Sequence, residues 1–162
     1  MNWDEYFLSI AEVVKEKSKD NNTKIGAVIV GSDNEIVSTG YNSFPRGIND
    51  DVPERQENPE KYYWFSHAER NAIYNAARIG VSLKNTKIYL TCGIPCVDCA
   101  IGIISSGIKE VYCKMNDTTK NKDKWSEHSK RSIQMFKEAK VKIFFYNKDK
   151  NIIQDKKYKN EK

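Results

Sequence analysis

Thr86-Lys87-Ile88-Tyr89-Leu90-Thr91, Cys92-Gly93-Ile94-Pro95, Cys96-Val97-Asp98-Cys99-Ala100-Ile101-Gly102-Ile103-Ile104-Ser105-Ser106, and Gly107-Ile108-Lys109-Glu110-Val111-Tyr112-Cys113-Lys114 follow one another without a break in the 162-residue chain. The first piece, with its β-branched and aromatic residues, predicts a strand over 86–91. A helix is expected over 96–106, stopped by Gly107, and a second strand over 110–114. Working outward, Trp3, Phe7, Ile10 and Val14 recur at helical spacing and predict a helix over 3–16. Two strands, 25–30 and 35–41, flank Gly31-Ser32-Asp33-Asn34, a hairpin signal. Residues 67–79 carry Ala68, Ala72, Ile73, Ala76 and Ala77 on one helical face before Gly80. Downstream, a helix over 124–139 precedes a closing strand over 141–146. The order α-β-β-α-β-α-β-α-β implies a three-layer α/β/α fold with a five-stranded mixed sheet and helices on both sides.

Residues 42–65 break this rhythm. Pro45, Pro53 and Pro59 interrupt any period, and so long a connection inside a compact domain is usually functional or disordered. Phe44, Tyr62, Tyr63, Trp64 and Phe65 argue for order, with a short helix near 59–64. No repeat or internal boundary is visible, so residues 1–147 read as one domain. Residues 148–162, with six lysines against Asp149, Asp155 and Glu161, read as a basic, frayed tail. The net charge of +5 suits a small anionic substrate but does not single one out. No apolar run of about 18 residues predicts a membrane span, and Met1-Asn2-Trp3-Asp4-Glu5 lacks the start of a secretory signal. The cytoplasm is the expected compartment. In that reducing setting, four cysteines confined to positions 92–113 favour metal binding or inert buried thiols over disulfides.

The chemistry lies in His67-Ala68-Glu69 and Pro95-Cys96-Val97-Asp98-Cys99. One imidazole and two thiolates make a three-ligand set for Zn²⁺ that leaves a fourth position for water. A catalytic zinc needs that position, because it must lower the pKa of a bound water. Cys96 and Cys99 fall at the start of one predicted helix and His67 at the start of another, and a helix N-terminus favours thiolates. Glu69 can approach the metal's water without occupying the metal, and so can move its proton. Either motif alone is weak; together, in this order and each opening a helix, they are specific. The competing reading is a structural four-ligand site completed by Cys92 or Cys113, which leaves Glu69 and Pro95 unexplained. Otherwise Cys92 and Cys113 read as buried small hydrophobes. His128 sits on the 124–139 helix, away from the motif, and reads as an ordinary surface or packing histidine.

His-x-Glu followed by Pro-Cys-x-x-Cys is the signature of nucleobase and nucleoside deaminases, and the chain resembles the deoxycytidylate (dCMP) deaminases of the cytidine deaminase superfamily. The resemblance runs from Trp3 to Tyr146 and includes Ser18-Lys19-Asp20, residues 23–30, Gly40-Tyr41-Asn42-Ser43-Phe44-Pro45-Arg46-Gly47, Lys61-Tyr62, Asn71-Ala72-Ile73 and Ser106-Gly107-Ile108-Lys109. It implies zinc-dependent conversion of dCMP to dUMP with release of ammonia. It further implies that Asn42 meets the deoxyribose and that the backbone near Ala68 reads the cytosine edge. Lys24, with Ser18 or Thr23, would form part of the 5′-phosphate site, since hydroxyls and an ammonium suit a phosphate. Arg46 would reach the phosphate too, and Ile94, in the run 91–94, would line the base pocket. Two departures stand out: Ser43 where family members commonly have glycine, and the run 91–94 itself.

A nucleic-acid deaminase acting on tRNA or single-stranded DNA is the alternative enzyme. Asp50, Asp51, Glu54, Glu57 and Glu60 make its groove a poor one for a polyanion. A catalytically retired zinc-bound module would have no reason to keep Glu69. Val97, Ile101, Ile103 and Ile104 nearly encircle the 96–106 helix, so a homo-oligomer is expected, and the resemblance points to dimers or hexamers.

Overall fold

The computed structural model describes residues 1–115, 123 and 125–147, and the backbone of 150–154. Helix α1 (Trp3–Val14) begins with a capping box between Asn2 and Glu5 and ends in a 3₁₀ turn, Lys15–Lys17. Strands β1 (Gly26–Val30) and β2 (Ile36–Tyr41) form the expected hairpin. The 42–65 segment is ordered as anticipated, with a 3₁₀ turn at Pro53–Gln56 and the short helix α2 (Lys61–Trp64). Then come α3 (Ala68–Ile79), β3 (Lys87–Leu90), α4 (Val97–Ser105), β4 (Glu110–Lys114), α5 (Glu127–Glu138) and β5 (Lys142–Asn147).

The sheet runs β2-β1-β3-β4-β5-β6. β1 lies antiparallel to β2 and β3, whereas β3, β4 and β5 are parallel, so the five expected strands form the mixed sheet. A sixth strand, β6 (Lys150–Gln154), was not anticipated. It pairs antiparallel with β5, so a frayed end beginning at 148 does not hold for these five residues, and the sheet passes the boundary expected at 147. The physical reason is that β5 would otherwise present an unpaired edge, which a chain turning back can satisfy with its own backbone. The rest of the basic tail, 148–149 and 155–162, lies outside the described residues, as do 116–122 and 124 of the stretch leading to α5.

Alternation along the strands divides the core into two. Val28, Val30, Tyr89 and Tyr112 face α1, where Phe7, Leu8 and Ala11 are buried. On that face Phe7, Tyr89, Tyr112 and Phe144 form a row of rings with neighbouring centroids 4.4–5.2 Å apart. Ala27, Ile29, Ile88, Leu90, Val111 and Cys113 point the other way, into a core with Ala68, Ala72 and Ala76 of α3, Ile103 of α4 and Ile133 and Phe136 of α5. The result is the three-layer α/β/α arrangement. α3 reaches the sheet closely because its inner face is alanine and Gly40 of β2 has no side chain: a Cβ there would stand 2.3 Å from Ala72 N. Gly80 closes α3 at φ 78°, a left-handed cap that favours glycine. α3 and α4 thus lie on one side of the sheet with their N-termini able to meet.

Candidate active site

His67 is the N-cap of α3 and Cys96 the N-cap of α4, and neither side chain caps its own helix. Extended backbone at both positions (ψ 155° and 168°) turns the side chains outward from the helix starts. The Sγ atoms of Cys96 and Cys99 stand 3.5 and 3.4 Å from Nδ1 of His67. All three ligand atoms lie within 4.8 Å of one another, and no other such group occurs among the described residues. Ligands at ~2.3 Å (sulfur) and ~2.0 Å (nitrogen) on a zinc tetrahedron sit about 3.5 Å apart, so the donor set fits the ion in chemistry and in spacing. Cys92 and Cys113 stand outside the cluster, which removes the four-ligand alternative among the described residues.

Burial is graded across the site. His67 is exposed, Cys96 half-buried and Cys99 fully buried. A hydrogen bond from the Cys99 thiol brings Cys96 down to about 3 against the opposing effect of burial, with His67 helping. Cys99, holding the proton the two sulfurs share, is pushed up, first by that bond and then by burial. His67 is raised by its contact with Cys96, against burial and with help from Glu69. Of the three, Cys96 is the one disposed to the thiolate form, and a dication must displace the proton that Cys99 holds.

Glu69, one helical residue beyond Ala68, is only 3% exposed and is no part of the ligand cluster. Burial raises its carboxyl above the ordinary range, more than its own backbone bond and His67 lower it. A buried carboxyl shifted in this direction beside a metal site is a candidate general acid and base. The thiol of Cys92 donates to Glu69 Oε1 at 3.7 Å, so Cys92 is more than the inert packing residue it resembles in sequence. No local signal marks that contact, because the two residues come from different elements.

Ala68 is buried in the first turn of α3, and Ile94 is half-buried against the core. Asn42 is buried and fully engaged: Oδ1 accepts from Ile25 N at 2.8 Å, and Nδ2 donates to Thr23 O (2.8 Å) and Asp20 Oδ2 (3.0 Å). Ser18 Oγ donates to the Asn42 carbonyl at 2.7 Å and accepts from Asp20 N, so its hydroxyl braces the loop. Thr23 and Lys24 are exposed, and Lys24 faces Glu16 at 3.4 Å. Arg46 turns to Asn75 at 2.7 Å, lining a cavity of about 820 Å³ that also takes in Lys17, Lys19, Tyr41, Tyr74 and Arg78 but none of the zinc ligands or Glu69.

Three contributors were given no role in the site from the sequence. Asp20 anchors Lys61 at 2.7 Å and accepts from the backbone of Asn22 and Thr23. Asn71 donates to Tyr41 O, Ser43 Oγ and Ser66 O, and Ser43 and Ser66 form a two-residue bridge, fastening the end of β2 to the residue before His67. His128, expected to lie away from the motif, accepts from Val97 N at 3.2 Å. The tertiary packing of α5 on α4 corrects that expectation.

Residues 1–115 match the family described as the cytidine and deoxycytidylate deaminase zinc-binding region. A deoxycytidylate deaminase of Homo sapiens is 41% identical over 116 residues, covering 68% of this chain and 64% of that protein, just under two thirds. An uncharacterized deaminase from the luxG 3′ region of Aliivibrio fischeri is 39% identical over 87% of this chain and 91% of its own. Among solved structures, the dCMP deaminase of cyanophage S-TIM5 in complex with dCMP and dUMP superposes with a TM-score of 0.68 over 88% of this chain and 95% of that one, at 24% identity, a likeness of fold.

Proposed function

Because the chain belongs to the cytidine and deoxycytidylate deaminase zinc-binding family, we propose that it catalyses hydrolytic deamination of dCMP to dUMP and ammonia, a step of pyrimidine deoxynucleotide metabolism. The observation that carries this reading is Glu69, a buried carboxylate two residues past one ligand and outside the ligand set. Zinc held by His67, Cys96 and Cys99 supplies the acidity that makes water nucleophilic near neutral pH. Glu69 takes the proton that water loses as its oxygen bonds to C4 of the cytosine. It delivers that proton to the ring nitrogen N3, then takes the remaining proton of the added hydroxyl and passes it to the amine, so that the C4=O bond forms as the C4–N bond breaks and ammonia leaves. Its burial keeps competing water from the transfer, and the Cys92 thiol holds the carboxylate in place through Oε1.

Relatives that bear the name deoxycytidylate deaminase support the choice of the monophosphate. The backbone at Ala68 reads the base and Ile94 walls it. Asn42 meets the sugar through the loop it organises, and Lys24, Thr23 and Ser18 form the loop facing the phosphate, with Arg46 at its margin. Ammonia release from purified protein, screened over cytidine, CMP, dCMP, dCTP, 5-substituted dCMP and tRNA, tests the substrate. Release from dCMP well above all others supports it, and turnover of tRNA alone overturns it. Lys24→Ala should weaken dCMP more than deoxycytidine; equal losses would assign Lys24 to packing.

The reading extends to assembly and location. Ile101 is 49% exposed, with Val97 and Ile104 half-buried on the same helix, and Tyr62 and Tyr63 are 75% and 80% exposed. Apolar and aromatic surface of this kind supports a homo-oligomer, a dimer or hexamer. A stable, fully active 18.7 kDa species in light scattering would refute it. No helix among the described residues is long and apolar enough to cross a membrane. A cytoplasmic location suits the free thiols of the site.

A further inference from the structure

Helix α4 starts with its cap missing. Cys96 occupies the N-cap position, where Ser, Thr, Asp or Asn would normally satisfy an unpaired backbone N–H, but the Cys96 side chain makes no such bond. It is directed instead to His67 and the metal position. The first helical residue, Val97, lies between the two sulfur ligands, and its N–H would be left to solvent.

That N–H is taken by another helix. His128, the second residue of α5, places Nδ1 3.2 Å from Val97 N. Because a backbone N–H can only donate, Nδ1 is the unprotonated nitrogen and the ring proton is on Nε2. α5 is secured independently of this bond: Ser126 caps it through Ser129 N at 3.1 Å, and Trp125, Ile133 and Phe136 are buried in the core. The imidazole thus hangs from a fixed element onto the turn that holds Cys96 and Cys99.

We propose that His128 is a positioning residue for the zinc site, accepting from the first N–H of α4, an orphan donor that an N-cap side chain, which serves the second or third helical residue, does not reach. It touches neither metal nor substrate. By holding the Val97 amide it holds the backbone between the two thiolates, so the sulfur pair stays arranged toward His67 Nδ1 when metal is absent and resists opening when metal is present. The inference rests on zinc at this site and is independent of which nucleotide is deaminated.

The test uses the full-length zinc-loaded protein with three variants. His128→Ala removes the acceptor. His128→Asn restores one on the same carbon that bears Nδ1, and His128→Gln moves it one carbon outward. Transfer of zinc to a coloured chelator is timed for each, and hydrogen exchange of the Val97 amide is followed by NMR in the zinc-free protein. Outer partners of metal ligands typically contribute 10–100-fold to metal affinity, and a bond to backbone belongs at the low end. Ala and Gln should release zinc about tenfold faster and lose protection at Val97, while Asn stays near the wild-type protein. Wild-type release rates in all three overturn the proposal. Equal acceleration in all three also overturns it, because the ring's bulk and not its acceptor would then be what matters. Neither readout involves turnover, so a negative result leaves dCMP deamination standing, and failure of the substrate screen leaves this proposal standing.

Discussion

Lys61 Nζ and Asp20 Oδ1 stand 2.7 Å apart, with their side chains only 15% and 5% exposed. One charge comes from the long segment after β2 and the other from the loop before β1, so the pair ties these two segments together. Asp20 also accepts from Asn42 Nδ2 and from the backbone of Asn22 and Thr23, which makes it the centre of this corner. Breaking a buried pair from one side leaves an uncompensated charge, at a typical cost of about 3–5 kcal/mol. Because Asp20 keeps three other donors, Lys61→Met should cost less, about 2 kcal/mol. Urea unfolding of both proteins measures this, and an unchanged midpoint would mean that the pair adds nothing.

The same carboxylate predicts a pH dependence. Burial opposes ionisation of Asp20, but bonds from Lys61, Asn22 and Thr23 outweigh it and hold the group below the ordinary carboxylate range. A depressed folded-state pKa stabilises the fold at pH values above the unfolded pKa, near 3.9. That contribution disappears as pH falls through the folded value. The stability difference between wild-type protein and Asp20→Asn should therefore be constant from pH 7 to about 5 and shrink below about 4. Loss of zinc in acid affects both proteins and cancels in the comparison. A difference that grows on acidification would mean that folding raises the Asp20 pKa instead of lowering it.

Glu69→Gln preserves shape and can still accept the Cys92 bond at Oε1. The variant should fold, hold one zinc and bind nucleotide, but turn over at least ~10²-fold more slowly, the scale of a lost general acid–base group. Metal content and steady-state rates check this together, and near-normal turnover would move the proton to another group.

Asn42→Ala strips partners from Ile25 N, Thr23 O and Asp20 Oδ2 at once. A buried group left unpaired costs about 1–3 kcal/mol, so a loss of stability should accompany any loss of affinity for substrate. Calorimetry without nucleotide separates the two effects: an unchanged melting temperature would make Asn42 a pure substrate contact.

Gly40→Ala drives a Cβ to 2.3 Å from Ala72 N and 2.5 Å from Ala68 O, both backbone of α3. The helix must shift, at about 1–3 kcal/mol or more, and it carries Glu69 and begins at His67. Stability and zinc retention should fall together. Full zinc retention in a destabilised variant would show that the α3 N-terminus is fixed from elsewhere.

What the sequence determined by itself is what depends on local order. Helical and strand periods placed α1, α3, α4 and the first five strands, because each pattern records which face is apolar. His67, Glu69, Cys96 and Cys99 were legible because ligand chemistry restricts residue type and each motif spans a single helical turn. Tertiary structure alone decided the partners of those residues. Asn42, expected to face a sugar, has its amide consumed by Ile25, Thr23 and Asp20. Cys92 meets Glu69 across 23 positions, His128 meets Val97 across 31, and β6 exists only because β5 offers an edge. Contacts of this kind leave no period and no spacing in the chain, since they arise only when elements far apart in sequence pack against one sheet.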